Sequence, residues 1–463
     1  MPPLSAPLLL DATLRTVARR YRLPASAAAI SKLHPASPAT TLALAIEQAR
    51  AATARGETPA AALKDRFIDA LAQLIREALR AGAGDPVFQA MVMRHRAAHV
   101  REYASLSAGA GQDGRQVRQA VNAIAHPGRQ QRIAPGPQRE ALARLHASAS
   151  ASSWSALHDT ARTLLDMQGI ANEAPGLTRL LDDPALKRLQ RLEALASDDL
   201  VRQYQTLWDR HAPRAGSAGA NAQGVTARQR GAATEALAAQ ALRALAQRLN
   251  EAEKAQVSYR VVTSMRVPAS IPATHERAKT EWDVVLLRQV LPIAETPAWD
   301  ICLLAEAKAS VDAATTDLPK LLRGLRLLAH ADKDVVYAFE TQQGTVRLHG
   351  AALSALRADA DGLAGTVLYC CDAPAEPRPR LLGAASRMQL LSAQASLEFA
   401  SALAHAQAAD PAALAPVWHQ LLESPRWRSV LNQYPTLRQV RELMVHPDDL
   451  MAAINRAGDG TGA

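Results

Sequence analysis

The chain has 463 residues, of which 48% are hydrophobic and only 4% aromatic, and its formal net charge at pH 7 is +9. This length is too great for a single core, so we expect two or three domains of ordinary globular composition. The positive charge permits attraction to nucleic acid without establishing it. Only eight of the 53 basic residues are lysine, and the scattered arginines accompany abundant alanine, a pattern that genomic base composition also produces.

The cysteines and the apolar stretches exclude several classes of protein. Cys302, Cys370 and Cys371 form no CxxC pair and no even-numbered framework, so the sequence predicts neither a zinc site nor a disulfide scaffold. The N-terminal apolar patch has no basic residue before it, unlike a secretory signal, and no run of about 18 apolar residues would span a bilayer. We therefore expect a soluble, cytoplasmic protein without a membrane partner.

Residues 1–212 are predicted to form an α-helical domain. Apolar residues recur at three- and four-residue spacing in segments such as Ala60–Ala81 and Pro86–Ser105, and stretches rich in Val, Ile or aromatic residues are missing. Residues 213–228 are small, glycine-rich and polar, which is typical of a flexible linker. The helical domain is therefore expected to end there.

Residues 229–372 change character and are predicted to form an α/β core, a mixed sheet with helices on its faces. Short runs rich in Val, Ile and aromatic residues now alternate with helical segments. The predicted elements are a helix at Gln229–Arg248, strands at Val257–Pro268, Glu281–Leu287 and Trp299–Lys308, a helix at about Asp317–Ala331, strands at Val335–Thr341 and Thr345–His349, a helix at Ala351–Ala358 and a strand at Thr366–Cys371.

Residues 381–463 return to helical periodicity and are predicted to form a C-terminal helical segment. A proline-rich stretch separates them from the α/β core, and later Xaa-Pro pairs mark breaks between helices. This segment is free, on the sequence alone, to pack on either of the two preceding domains.

Two of the predicted strands carry acidic residues inside apolar runs. Asp283 lies on the first, and Glu306 and Lys308 lie at the end of the second. Side chains alternate across a strand, so Glu306 and Lys308 project from the same face. An apolar strand does not bury an acid unless something compensates its charge. Carboxylates beside an ammonium group suit the binding of a hard cation and a phosphate.

This arrangement, an Asp on one strand and Glu-x-Lys at the end of the next, resembles the active-site motif of the PD-(D/E)xK nuclease superfamily, which has the restriction-endonuclease-like fold. The resemblance implies that Asp283 and Glu306 ligate Mg²⁺ or Mn²⁺, with the main-chain carbonyl of Ala307 as a third oxygen. It also implies that Lys308 positions the attacking water or stabilises negative charge at the phosphorus. Trp282 stands where the name-giving motif has proline, a common departure.

The motif is short, so a simpler interpretation stays open. A chain of this composition is expected to contain about one acid-x-Lys tripeptide by chance. The competing interpretation is an ion pair at the surface end of a strand. What favours the functional interpretation is the context, because the tripeptide ends an apolar strand, a second apolar strand supplies the Asp, and a helix precedes both.

Further candidates come from the flanking helices. Members of the superfamily often place a Glu on the first core helix, and the resemblance makes Glu235 a fourth catalytic and metal-ligating candidate. Lys320, Arg323 and Arg326 recur at three-residue spacing on the helix after the motif, where they are candidates for contacts with nucleic-acid phosphates. For all four residues a solvated helical face is the alternative.

The sequence thus predicts a Mg²⁺-dependent nuclease that hydrolyses phosphodiester bonds, with DNA as the expected partner and RNA as a second possibility. The alternative is a catalytically inactive module of nuclease fold that binds nucleic acid or a protein partner. A helical scaffold with an incidental α/β insert is a third interpretation. The resemblance covers about a third of the chain, so the flanking helices are open to DNA, gating or protein-partner roles.

Overall fold

The computed structural model describes residues 7–23, 37–167, 173–211, 218–253, 257–290, 298–376 and 379–459. The described chain is mostly helical and contains one mixed five-stranded sheet flanked by helices. This confirms the predicted combination of helices with a mixed sheet. No helix within these ranges is both long enough and apolar enough to cross a membrane.

The chain divides into two compact units. The first comprises Met1–Leu71, Ala218–Leu390 and Ala415–Ala463, and the second comprises Ala72–Ser217 and Leu391–Leu414. The predicted layout instead placed its boundaries at residues 212, 229, 372 and 381. The first unit thus combines the sheet with the beginning of the predicted helical domain and with most of the predicted C-terminal segment.

The helices that precede the sheet are short to medium in length, apart from two long ones. In chain order they are α1 (Leu8–Thr16), α2 (Pro38–Ala54), α3 (Ala61–Leu79), α4 (Pro86–Arg96), α5 (Ala98–Ala125), α6 (Pro127–Gln130), α7 (Pro137–Ser150), α8 (Trp154–Leu165), α9 (Ala174–Asp182), α10 (Pro184–Leu195), α11 (Asp199–His211) and α12 (Ala218–Ala252).

The second unit is built from helices with sharp starts and apolar inner faces. Asp85 begins α4: its side chain accepts the N–H groups of Val87 and Phe88, and Pro86 occupies the first helical position, where a missing N–H costs nothing. Buried Leu and Ala from α5 and from α7 to α10 then form one apolar cluster, with Leu142 and Leu186 among its fully buried members. Amphipathic periodicity therefore predicts this unit well.

The predicted linker at residues 213–228 differs in the structure. Residues 213–217 lie outside the described residues, while residues 218–228 belong to α12, which runs without interruption to Ala252. Alanine, glutamine and arginine favour a helix, and they outweigh the isolated glycines of this stretch. The side chains of residues 225–230 are exposed, so propensity and continuity with the packed part of the helix account for the helical start.

The sheet begins directly after α12. Its strands are β1 (Val257–Arg266), β2 (Glu281–Val290), β3 (Asp300–Ala307), β6 (Val367–Cys370) and β7 (Met444–Val445), paired in that order. β1, β2 and β3 are antiparallel neighbours, whereas β6 and β7 join in parallel. A separate ribbon is formed by β4 (Val336–Phe339) and β5 (Val346–His349). The predicted strands thus fall into two sheets.

Helices fill the connections of the sheet and the C-terminal segment. They are α13 (Val311–Ala329), α14 (Gly350–Ser354), α15 (Ala360–Thr366), α16 (Ala384–Leu391), α17 (Gln394–Ala404), α18 (Ala415–Glu423), α19 (Arg428–Leu431), α20 (Gln433–Leu443) and α21 (Pro447–Asp459), with 3₁₀ turns at Pro411–Leu414 and Pro425–Trp427. The helix predicted near Asp317 starts earlier, because the Ser310 side chain caps it by accepting the Ala313 N–H.

The C-terminal segment corrects the sequence-based expectation at one place. It was predicted to be entirely helical, yet Met444 and Val445 form β7 and pair with Tyr369 and Cys370 of β6. A two-residue strand between two helices has no periodicity of its own, so the sheet edge that it meets decides its conformation. The strand therefore depends on a tertiary contact.

One face of the sheet packs on three helices. Apolar side chains of α1, α12 and α21, such as Leu14, Leu245 and Leu450, form one buried cluster with Val284, Leu303, Leu368 and further strand residues. The two ends of the described chain thereby cover the same sheet face. The alternate residues of the strands point away from this cluster, and the predicted acidic residues are among them.

Candidate active site

The register of the strands aligns three polar residues on the sheet face opposite the apolar cluster. Val284 pairs with Ala305, so the next pair along the antiparallel ladder is Asp283 with Glu306. Glu306 in turn pairs with Tyr369 on the parallel neighbour β6. The three side chains thus form a row across β2, β3 and β6. The structure places Asp283 and Glu306 together, as the sequence predicted.

Lys308 joins this row through direct contacts with both carboxylates. Its Nζ lies 3.2 Å from Glu306 Oε2 and 3.9 Å from Asp283 Oδ2. Asp283 Oδ2 also accepts the main-chain N–H of Ala307 at 2.9 Å, which fixes the carboxylate against the end of β3. The structure therefore brings together Asp283, Glu306 and Lys308, the three residues of the predicted motif.

A second lysine, Lys279, enters the site from the segment before β2. Its Nζ lies 2.5 Å from Glu306 Oε2 and 3.9 Å from Asp283 Oδ1, and its side chain is only 7% exposed. Helix α13 packs closely against Lys279 because Gly324 has no side chain. A Cβ atom at position 324 would lie only 2.8 Å from Lys279 Cβ. The main-chain N–H of Lys279 donates to the Lys320 carbonyl on the same helix. Lys279 is therefore built into the fold.

Asp317 and Tyr369 complete the set of polar residues. Asp317 Oδ1 lies 3.5 Å from Lys308 Nζ, and the buried Tyr369 hydroxyl donates to Asp317 Oδ2 at 3.2 Å. Burial raises the pKa of Tyr369, so its hydroxyl stays protonated and acts as a donor. Asp317 on α13 is thus a third carboxylate in contact with Lys308.

Sequence reasoning missed Lys279, Asp317 and Tyr369, of which only Lys279 carries a weak signal. Lysine is rare in this chain, and a buried lysine needs a partner, so a lysine four residues before Asp283 at a strand start was a candidate. Asp317 was predicted to lie at the start of a helix, where an acidic residue is common and indicates no special role. Tyr369 lies in an apolar strand, where a core role is the default.

Glu306 is the most perturbed group of the site. Its side chain has no solvent exposure, and Oε1 is buried without a hydrogen-bond partner in the described part of the chain. Burial raises the pKa of Glu306 to about 8, with a further increase from the charge of Asp283, while Lys279 and Lys308 oppose the shift. The two ammonium groups do not fully stabilise the ionised form of Glu306, so an additional cation would stabilise it further.

Lys308 shows the complementary effect. Burial, the largest single influence, lowers the pKa of Lys308, but the combined attraction of Glu306, Asp283 and Asp317 outweighs it and leaves the pKa raised. The ammonium group therefore stays charged at neutral pH. A permanently charged lysine suits electrostatic stabilisation of an anion rather than proton abstraction.

Glu235 lies close enough to feel the site electrostatically. Burial, followed by the negative charges of Asp283 and Glu281, raises the pKa of Glu235. Among the residues that the structure describes, however, no three His, Cys, Asp or Glu side chains gather into a metal-binding group. The catalytic and metal-ligating role of Glu235 stays a prediction.

The predicted phosphate-contacting residues lie on the exposed side of α13. Lys320, Arg323 and Arg326 are all exposed, and Arg323 Nε donates to the Arg277 carbonyl at 2.7 Å. That bond ties the helix to the segment that carries Lys279. Contact of these three side chains with phosphates stays a prediction.

The donor set fits a hard divalent cation at Asp283 and Glu306. Both carboxylates contact the same two ammonium groups, so they converge, and Glu306 Oε1 is an acceptor without a partner among the described residues. Asp317 contacts Lys308 alone of the two lysines. Mg²⁺ is commonly held by one or two protein carboxylates together with water and substrate oxygens. The role of the Ala307 carbonyl as a ligand stays a prediction.

Comparison with protein-family models, with curated proteins and with solved structures finds no match to this chain.

Proposed function

We propose that the chain is a nuclease of the restriction-endonuclease-like type that hydrolyses phosphodiester bonds of DNA with Mg²⁺ or Mn²⁺. The observation that carries the proposal is the convergence of Asp283, Glu306 and Lys308 on one face of adjacent strands, with Glu306 fully buried. Burying ionisable groups is costly, and strongly perturbed ionisable residues concentrate at functional sites.

Each residue has a distinct role in this proposal. Asp283 and Glu306 hold the cation, which when bound would polarise the scissile phosphate as a Lewis acid. The Lys308 ammonium stabilises the additional negative charge that develops on the phosphate oxygens. Asp317, fixed by the Tyr369 hydroxyl, keeps Lys308 in place. Lys320, Arg323 and Arg326 would contact the nucleic-acid backbone outside the site.

One observation favours the alternative, a catalytically inactive module that binds nucleic acid or a protein. The Lys279 ammonium already contacts both Glu306 and Asp283, so part of the charge compensation that a metal would supply comes from the chain itself. A lysine in that position competes with a cation for the same oxygens. Calorimetric titration of the protein with Mn²⁺, with and without Lys279→Met, therefore separates the two functions from each other.

The direct test is cleavage by the purified full chain of linear, circular and single-stranded DNA and of RNA, in Mg²⁺, Mn²⁺ or EDTA. We expect metal-dependent cleavage of DNA that falls by at least ~10²-fold in Asp283→Ala and in Lys308→Ala, because each removes charge from the reacting phosphate's surroundings. Lys333→Ala is the matched control, because it removes one exposed positive charge elsewhere in the same unit.

Two outcomes would contradict this proposal. Undiminished cleavage in both Asp283→Ala and Lys308→Ala, with circular dichroism unchanged, would show that the activity lies elsewhere. Absence of cleavage by the unmodified chain in every metal, together with absent Mn²⁺ binding even in Lys279→Met, would support the inactive binding module.

A further inference from the structure

A polar cavity lies in the first unit, and none of the residues that line it belongs to the candidate active site. It has a volume of about 510 Å³ and is bordered by the turn after α1, by α2, by α15 and by α20. Leu368 of β6 lines it, whereas the next residue, Tyr369, lies in the active-site row. Successive side chains of a strand point to opposite faces. The cavity, here termed the arginine pocket, is therefore separate from the active site.

Its lining carries an excess of positive charge. Four arginines, Arg19, Arg22, Arg50 and Arg438, face only two glutamates, Glu47 and Glu442. Two of the arginines are paired, since Arg50 forms a bidentate contact with Glu47 at 2.7 Å and Arg438 lies 3.4 Å from Glu442. The pocket thus holds two further positive charges beyond those that its own carboxylates balance.

Arg19 is the less exposed of these two further charges. Its guanidinium donates to the main-chain carbonyls of Leu14 and Glu442, which orient it without neutralising it. Burial lowers the pKa of Arg19, and repulsion by Arg22 lowers it further, against a smaller opposing effect of Glu442. The partly buried Arg19 and the exposed Arg22, whose guanidinium groups repel each other, would be stabilised by a bound anion.

A buried tyrosine supplies the second observation. Tyr434 lines the same pocket and is only 4% exposed, yet its hydroxyl is buried without a hydrogen-bond partner in the described part of the chain. Leaving a buried hydroxyl unsatisfied costs roughly 1–3 kcal/mol, so such groups usually have a partner. A ligand oxygen in the pocket would accept this hydrogen bond.

We propose that the arginine pocket binds a nucleoside phosphate. Guanidinium groups bind phosphate oxygens in bidentate fashion, and Arg22 and Arg438 carry several N–H donors each for that role. Leu363, Pro435 and Leu443 provide an apolar wall for the base and sugar. The volume lies within the roughly 300–1,000 Å³ typical of small-molecule sites. The ligand is either a free nucleotide or the phosphorylated end of a nucleic-acid strand, which share this chemistry.

The test is isothermal titration calorimetry of the full chain with inorganic phosphate, AMP, ADP and ATP, and with a short oligonucleotide carrying or lacking a 5′-phosphate. We expect saturable binding of nucleoside phosphates. Arg22→Ala and Arg438→Ala should each weaken it roughly tenfold, because a charge-assisted hydrogen bond is lost. Tyr434→Phe should weaken it a few-fold by removing one donor while the ring stays in place.

Arg428→Ala is the matched control, since it removes an exposed arginine outside the pocket while changing the net charge equally. Its affinity should equal that of the unmodified chain, and thermal unfolding should show that all four variants are folded. Tighter binding of either the free nucleotide or the 5′-phosphorylated strand supports the proposal and identifies the source of the phosphate.

Three results would overturn the proposal. The first is absence of binding to every probe at millimolar concentration. The second is an equal loss of affinity in Arg428→Ala, which would indicate diffuse attraction to the surface. The third is binding of inorganic phosphate as tight as that of the nucleotides, which would contradict a role for the apolar wall. None of these results depends on whether the chain cleaves DNA.

Discussion

The two faces of the five-stranded sheet are made by the same strands, but only one of them carries the charged residues of the candidate site. On the face covered by α1, α12 and α21, β2 and β6 contribute Leu286 and Leu368 to a buried apolar cluster. On the other face β2, β3 and β6 contribute Asp283, Glu306 and Tyr369. A shift of one residue in the pairing of a strand would exchange the side chains that face the apolar cluster with those that face the site. Strand register therefore determines which residues lie on each face.

The difference indicates how the fold tolerates its charged face. Burying apolar side chains stabilises the chain by about 25 cal/mol per Å² removed from water. Burying carboxylates and ammonium groups costs free energy that their mutual attraction seldom returns in full. The apolar residues of both faces, among them Val285 and Leu304 beside the acids, therefore supply the stability, and the row of charged residues is retained at some cost.

Leu286→Ala tests the apolar cluster and should have the largest effect. Leu286 is fully buried in the apolar cluster, so its truncation removes buried methyl groups and leaves a cavity. We expect the free energy of unfolding to fall by about 2–5 kcal/mol, measured by urea denaturation. Glu281 lies on the same strand but is exposed, so Glu281→Ala should change the free energy of unfolding by about 0.5 kcal/mol or less. Similar losses in both variants would contradict the stabilising role of burial in the apolar cluster.

Glu306→Gln tests the cost of the charged face through its pH dependence. The pKa of Glu306 is raised to about 8 from an ordinary 4.5, so between these values the folded chain holds a proton that the unfolded chain releases. The free energy of unfolding should therefore fall as the pH rises through this window. Glutamine stays neutral at every pH and removes this contribution.

In EDTA, Glu306→Gln and the unmodified chain should differ little near pH 4.5. The variant should gain stability relative to the unmodified chain as the pH rises to about 8, by an amount on the order of a few kcal/mol. Chemical denaturation at a series of pH values measures this difference. Parallel pH profiles would show that Glu306 ionises normally in the folded chain.

Tyr369→Phe should have the smallest effect of the three. It removes the hydroxyl that donates to Asp317 and retains the ring that fills the buried position. The expected cost is about 1 kcal/mol in the free energy of unfolding. If Asp317 positions Lys308, Tyr369→Phe should also reduce cleavage modestly in the nuclease assay. The control Tyr337→Phe removes the hydroxyl of a buried tyrosine on β4 and should leave cleavage unchanged. Equal effects on cleavage would exclude a positioning role for Tyr369.

Much of the sheet and part of the site were predictable because they depend on local pattern. The apolar runs around Asp283 and Glu306 have strand length, and the observed β2 and β3 contain both residues. Two-residue alternation then fixes which face carries each acid. The same alternation places Lys308, two residues after Glu306, on the same face, so the sequence also predicted Lys308 as a site residue.

The rest of the site depends on tertiary contacts that no local pattern encodes. Lys279 enters because Gly324 lets α13 approach, and Asp317 enters because α13 begins at Val311 rather than near Asp317. Tyr369 is added by the parallel pairing of β3 with β6, which are separated in the chain by α13, the β4–β5 ribbon and two short helices. The two-residue β7 was missed for the same reason. Sequence periodicity describes single elements, whereas these contacts arise between them.

The pairing of β7 with β6 also determines how far the domain that contains the site must extend. A fragment ending at Asp372 retains the whole candidate active site but lacks β7 and α21, so one edge of β6 loses its partner strand and the apolar cluster loses Leu450 and Ile454. Unpaired sheet edges promote association with other chains. A domain that folds on its own must therefore extend into α21. This helix begins about 80 residues after β6, the last strand inside the boundary predicted from sequence.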